Sequence, residues 1–176
     1  MIMKVRRAFP KRKSSSFTLV ELLVVISIIG LLAGLGFPAI QGAILAGKKA
    51  EVAAMAESLR TAVNAFYAEY SVYPSNASGV TDWDFLVQFS STNTNGLNYR
   101  GISFLEVPTK FTNASGLVTP RGFYARAQSN FSIAIDTQGV GLLTNRVGSS
   151  NYVVPSSVSV WVTDPKNPNK PVGTFK

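Results

Sequence analysis

The stretch Ser16-Phe17-Thr18-Leu19-Val20-Glu21-Leu22-Leu23-Val24-Val25-Ile26 decides how the rest of the chain is read. Glu21 stands at the head of an apolar run, and twenty-six residues without a formal charge separate it from Lys48. A carboxylate beside an apolar segment of bilayer length is energetically expensive, so an acid here marks a functional position. Residues 22–40 meet the length of about twenty residues that a helix needs to cross the hydrocarbon core, and only Ser27 among them is weakly polar. Ahead of the acid stand six bases, Lys4, Arg6, Arg7, Lys11, Arg12 and Lys13. The positive-inside rule puts this leader in the cytoplasm and the C-terminus on the far side of the membrane.

The net charge of +8 belongs mostly to that leader. Beyond residue 16 the chain carries eleven bases and nine acids, with no basic cluster of the kind a nucleic-acid face requires. Nucleic acid is therefore not an expected partner. Cysteine is absent, which excludes a disulfide scaffold and thiolate metal sites. Histidine is absent too, and with it the usual general base and the usual metal ligand. No phosphate-binding loop is present. The acids Asp82, Asp84, Glu106, Asp136 and Asp164 are scattered, and Asp82 and Asp84 flank a tryptophan as a helix cap and a solvated face would. The expectation is a structural protein, not an enzyme, with no cofactor.

The apolar run leaves three readings open. A conventional secretory signal would have a shorter apolar core, with cleavage near Gln41-Gly42-Ala43 or Leu45-Ala46. A plain single-pass anchor would carry Glu21 incidentally. The third reading rests on a resemblance. Phe17-Thr18-Leu19-Val20-Glu21, followed by the apolar run and Pro38, resembles the N-terminal signature of the type IV pilin and pseudopilin superfamily.

The resemblance implies that a prepilin peptidase cuts between Ser16 and Phe17 and methylates the new amino terminus of Phe17. It implies that Glu21 pairs with the N-terminal amine of a neighbouring subunit. Serine at position 16 departs from the glycine that usually precedes the cut, though it is also small. Pairing two charges that are each costly in lipid lowers both costs, and such a pair fixes register as a buried polar residue does in a coiled coil. Gly30 and Gly34 have the spacing that lets helices approach closely. Pro38 removes a backbone donor and is expected to kink the helix, with Gly34 and Gly36 loosening the same stretch.

Past the membrane, Val52, Leu59 and Phe66 recur at sevens, and Met55, Ala56, Ala62, Val63 and Tyr70 fill the offsets of an amphipathic helix. With the apolar run this predicts one helix of about fifty residues, roughly 75 Å long, ending near Tyr73-Pro74. Residues 81–89 predict a short capped helix, Ser90 to Asn98 a flexible loop, and 101–108 a segment that docks on the core. Phe131, Ile133 and Ile135, then Val158, Val160 and Val162, alternate as half-buried strands with one wet face. A turn at Thr137-Gln138-Gly139 leads into Val140-Gly141-Leu142-Leu143, and Phe123-Tyr124-Ala125-Arg126 offers a further strand. The proline-rich stretch from Asp164 to Pro171 is expected to be irregular.

The expected fold class is α+β and pilin-like, with one long N-terminal helix packed on a small antiparallel sheet. The expected divisions are a leader (1–16), a transmembrane or filament-core helix (17–42), an amphipathic helix (43–73), a variable loop region (74–120), and a sheet with C-terminal tail (121–176). The resemblance implies a polymer of pilin-like subunits raised on an inner-membrane assembly platform. The chain would begin as a single-pass inner-membrane protein with its N-terminus cytoplasmic, and pass into a periplasmic filament. A pseudopilin of a type II secretion system fits the absence of cysteine, because many pilins close a C-terminal loop with a disulfide. A pilin of a surface fibre and a membrane-tethered domain unrelated to filaments remain alternatives. Major pseudopilins bind calcium in sheet-side loops, and Asp136 and Asp164 are the conceivable oxygen ligands here.

Overall fold

The computed structural model describes residues 17–75, 78–90 and 96–175. The basic leader with Ser16, and residues 91–95 of the expected flexible loop, lie outside the described residues. The chain divides into two units, Met1–Gly42 and Ala43–Lys176, and the helix α1 (Leu19–Tyr70) contributes to each.

In the first unit the apolar side chains of α1 are not covered by any of the described residues. Leu22, Ile26, Ile29 and Leu32 are all exposed, and an 18-residue window of mean hydropathy 2.5 has none of its residues buried. Its hydroxyl is satisfied internally, with Ser27 Oγ donating to the Leu23 carbonyl at 2.8 Å. A helix of this composition keeps its backbone groups paired and presents only hydrocarbon outward, as a membrane span must. Helical backbone continues through Pro38.

In the second unit α1 supplies one wall of the core. Val52, Ala56, Leu59, Val63 and Phe66 are wholly buried at three- and four-residue steps, while Glu51, Ser58, Thr61 and Asn64 face solvent. The stripe packs on Phe85, Phe89, Phe111, Phe131, Ile133, Val158, Val160 and Val162. The helix ends at Tyr70, sooner than Tyr73-Pro74. Ser71 takes a left-handed φ of 56°, and its N–H closes the last turn on the Tyr67 carbonyl at 2.7 Å.

Among the described residues the strands form three small antiparallel sheets. β1 (Thr112–Asn113) pairs with β2 (Gly116–Leu117). β3 (Ser132–Ile135), β6 (Val158–Thr163) and β7 (Pro171–Gly173) form a sheet in the order β3-β6-β7. Its register sets Ile133 opposite Val160, and Val162 opposite Val172. β4 (Leu143–Val147) and β5 (Ser150–Val154) make a separate hairpin.

Three expectations change. The alternation in β6 predicts one wet face, yet Ser159 and Trp161 are buried along with Val158, Val160 and Val162. Val147 and Phe175 pack against Trp161 with Tyr152 and Val154 of the hairpin, and Asn145 Nδ2 donates to Ser159 Oγ at 2.7 Å. β6 is therefore covered on both sides. Residues 121–126 form turns instead of a strand, and the supposedly irregular tail re-enters the sheet at Pro171. Pro171 is tolerated as the first residue of a strand because its missing N–H removes no interior ladder bond.

The described residues of the 75–120 region are more ordered than their polar composition implies. Asp82 caps the short helix α2 (Trp83–Leu86), accepting the Phe85 N–H at 2.9 Å. Phe104, Leu105 and Val107 dock on the core as expected. Asn98, read as part of a flexible loop, is wholly buried. Its amide donates to the Ser90 and Ile102 carbonyls at 3.0 and 2.7 Å, and its oxygen accepts Tyr70 Oη at 2.6 Å and the Ile102 N–H at 3.0 Å.

Candidate processing and assembly site

Helix α1 opens on a reciprocal cap. The Glu21 N–H donates to Thr18 Oγ1 at 3.2 Å, and Glu21 Oε2 accepts the Thr18 N–H at 2.9 Å and the Thr18 hydroxyl at 2.7 Å. This is the capping box, in which a Thr and a Glu three residues later each satisfy a backbone donor that the helix start leaves orphaned. The spacing Thr18-Leu19-Val20-Glu21 carries the signal in sequence, where the charge of Glu21 drew attention away from its partner. Glu21 thus has a local structural use beside any use between subunits. The box folds its carboxylate back toward Phe17, whose ring is exposed immediately before the cap residue.

Among the sequence-derived site residues, Ser16 lies outside the described residues, Phe17 is exposed, Glu21 occupies the first turn of α1, and Pro38 lies within α1. Among the described residues of the first unit, Glu21 and the apolar face that follows it are exposed. A new ammonium at residue 17 would be one turn from a carboxylate already aimed toward the helix start.

The two candidate calcium ligands are committed elsewhere. Asp136 closes its own turn, accepting the Gln138 N–H at 3.2 Å and the Gly141 N–H at 2.6 Å. The Gly141 amide, with its neighbours, holds this carboxyl below the usual carboxylate range, against a smaller opposing effect of burial. Asp164 Oδ2 accepts Lys49 Nζ at 2.5 Å, and Oδ1 accepts the Lys166 N–H at 2.8 Å. Burial pushes the Asp164 carboxyl up, but the Lys49 ammonium and the amides of Lys166 and Asn167 outweigh it and hold the carboxyl low. Calcium takes six to eight oxygen ligands. Among the described residues no three His, Cys, Asp or Glu side chains gather, and at Asp164 an ammonium takes the place a cation would occupy. The donor set does not fit calcium.

The Lys49–Asp164 pair was not legible in sequence, yet it fastens the 164–170 loop to α1 within the second unit. Tyr124 Oη adds a donation to the Thr163 carbonyl at 2.6 Å. With the β6–β7 ladder, these bonds hold the C-terminal segment without a disulfide.

The family described as the prokaryotic N-terminal methylation motif matches residues 11–37. The type IV major pilin protein PilE1 of Neisseria gonorrhoeae is 37% identical over 60 residues, which is 34% of this chain and 28% of that protein. A fimbrial protein of Neisseria meningitidis is 38% identical over 60 residues, 34% of this chain and 35% of its own length. The fimbrial protein EcpC of Eikenella corrodens is 35% identical over 72 residues, 40% of this chain and 47% of its own length. The chain therefore spans between about a quarter and a half of the length of these curated relatives. No solved structure matches it. The N-terminal part of the chain is thus similar to that of type IV pilins and fimbrial proteins, and its architecture, one long N-terminal helix with small antiparallel sheets, is α+β and pilin-like. The methylation motif and the apolar helix together describe a single-pass membrane anchor.

Proposed function

We propose that the chain is a subunit of a prepilin-type filament, of the pseudopilin kind found in type II secretion. A prepilin peptidase removes residues 1–16 between Ser16 and Phe17 and methylates Phe17. Residues 17–42 then serve first as a membrane anchor and afterwards as the filament core, packed on the same helix of neighbouring subunits. Residues 43–73 carry the folded unit, residues 74–120 its variable loops, and residues 121–176 its sheets and tail. An inner-membrane platform assembles the subunits into a periplasmic fibre. The protein is structural, not catalytic.

One observation carries this reading. A carboxylate sits at the start of an exposed apolar helix, inside the matched methylation motif, with only its own cap residue as partner among the described residues. In the filament the freed Phe17 ammonium of one subunit pairs with Glu21 of the next, and that pair rewards a single axial register. Pro38 lacks one backbone donor, and with Gly34 and Gly36 it makes residues 34–38 the stretch that yields first when subunits repack.

Closure of the C-terminal segment by β7 and the Lys49–Asp164 pair, without cysteine, supports the pseudopilin kind. The names of the relatives, which are pilins and fimbrial proteins, favour a surface fibre instead. Mechanical shearing of cells separates the two. A pseudopilin stays with the envelope, whereas a surface pilin appears in the sheared fraction.

The test of the charge pair uses two substitutions. Glu21→Gln keeps an acceptor for the Thr18 cap but removes the charge, because either Glu or Gln serves in a capping box. Glu21→Ala removes both. Both variants are expected to insert in the membrane and to fail in incorporation beside wild-type subunits. Normal incorporation of Glu21→Gln would show that the cap, not the charge, is what assembly requires.

A further inference from the structure

Lys48 and Lys49 end the long uncharged run of α1, and the fold gives them different surroundings. Lys49 is neutralised by Asp164. Lys48 lines an open groove of about 440 Å³ together with Lys110 and Arg121. Those two bases come from sequence positions more than sixty residues away, on either side of β1 and β2. Lys48 Nζ is held in place by donating to the Gly122 carbonyl at 2.8 Å. Gly122 has a φ of 73°, a backbone conformation that favours glycine, and a Cβ there would lie 2.7 Å from that ammonium.

Among the described residues, Glu51 is the one acid lining the groove, 3.2 Å from Lys110 Nζ, and both side chains are about half exposed. Arg121 is exposed and has no hydrogen bond or ion pair among the described residues. Gln128 has its amide fixed on the Thr119 carbonyl at 2.8 Å. Three cations thus face one carboxylate, and the guanidinium keeps all its donors free for a planar oxyanion such as phosphate.

We infer that this groove is a headgroup site for anionic phospholipid at the surface where α1 leaves the bilayer. The sequence position argues for lipid over a free anion. A helix emerging from hydrocarbon on the far side of the membrane brings its first cations into the headgroup layer there, where they are attracted to whatever anionic lipid that leaflet holds. Lys48 is the first such cation, and the fold gathers two further bases around it. A subunit leaving the membrane for a filament must then release its headgroup, so the same site retains unassembled subunits. The inference rests on residues 22–40 being a membrane span.

The test places the full-length chain in nanodiscs of phosphatidylcholine alone or with phosphatidylglycerol, and follows amide hydrogen exchange across residues 109–128. Exchange there is expected to slow at least threefold with phosphatidylglycerol. The difference is expected to vanish in 1 M salt, where the Debye length falls to about 3 Å, and in Arg121→Gln and Lys110→Gln/Arg121→Gln. Equal exchange on both lipids, in chains that resist alkaline extraction, would overturn the lipid site while leaving the span intact. Release by alkali would overturn the span and the site with it. The same slowing produced by inorganic phosphate in phosphatidylcholine discs would make the groove a free-phosphate site and overturn the lipid assignment.

Discussion

Asp164→Asn isolates the charge that closes the C-terminal segment. The substitution keeps Oδ1 as an acceptor for the Lys166 N–H, so the turn persists, but it removes the ion pair with Lys49 at 2.5 Å. The two side chains are 13% and 29% exposed, which sets the pair between two regimes. Exposed pairs contribute about 0.2–1 kcal/mol, and removing one partner of a fully buried pair costs about 3–5 kcal/mol. A loss of about 1–2 kcal/mol follows at neutral pH, or roughly 4–8 °C in the melting temperature of a unit this size. Trp161, buried beside Phe175, reports unfolding of this region by fluorescence in detergent.

The sign of the pH dependence is fixed by the native carboxyl lying below its unfolded value. The stabilisation is fully present above the unfolded pKa of about 3.9 and is lost as pH falls through the lower native value. Wild type and Asp164→Asn should therefore differ at pH 7 and converge in acid. A double-mutant cycle with Lys49→Met should return most of the loss as coupling. A deficit unchanged in acid, or no coupling between the two positions, would refute the assignment of closure to this pair.

Other outcomes follow from the core and the turns. Phe66→Ala empties a wholly buried site between α1 and the aromatic rings of Phe89 and Phe104, and should cost about 3–5 kcal/mol in urea unfolding. Thr18→Val removes the helix cap at a cost of about 1 kcal/mol. It should speed amide exchange at residues 19–22 about fivefold, without releasing the chain from membranes. Gly148→Ala forces a side chain into a turn with φ of 59°, against Asn169 and Pro168, and should destabilise the hairpin by about 1–3 kcal/mol in thermal melts.

The long helix was legible because its buried residues repeat with helical period, and β3 and β6 because they alternate. The β4–β5 hairpin was not. Its inward face is Leu143, Asn145 and Val147, and a buried asparagine breaks the apolar alternation that marks a strand. Missing that hairpin led directly to the wet outer face wrongly expected for β6. Asn98 reads as loop by residue type, yet its four hydrogen bonds make it an internal brace. The Lys49–Asp164 pair spans 115 positions, and no local pattern joins its partners. At the site, Glu21 stood out through its cost in lipid, whereas Thr18 did not, because a threonine before a helix has no such cost.

The central claim is that the chain acts after losing its leader. Intact-mass analysis of the protein purified from native filaments tests it most directly. The account predicts a chain that begins at a singly methylated Phe17. Filaments built from chains that retain residues 1–16, or that begin near residue 46, would contradict it.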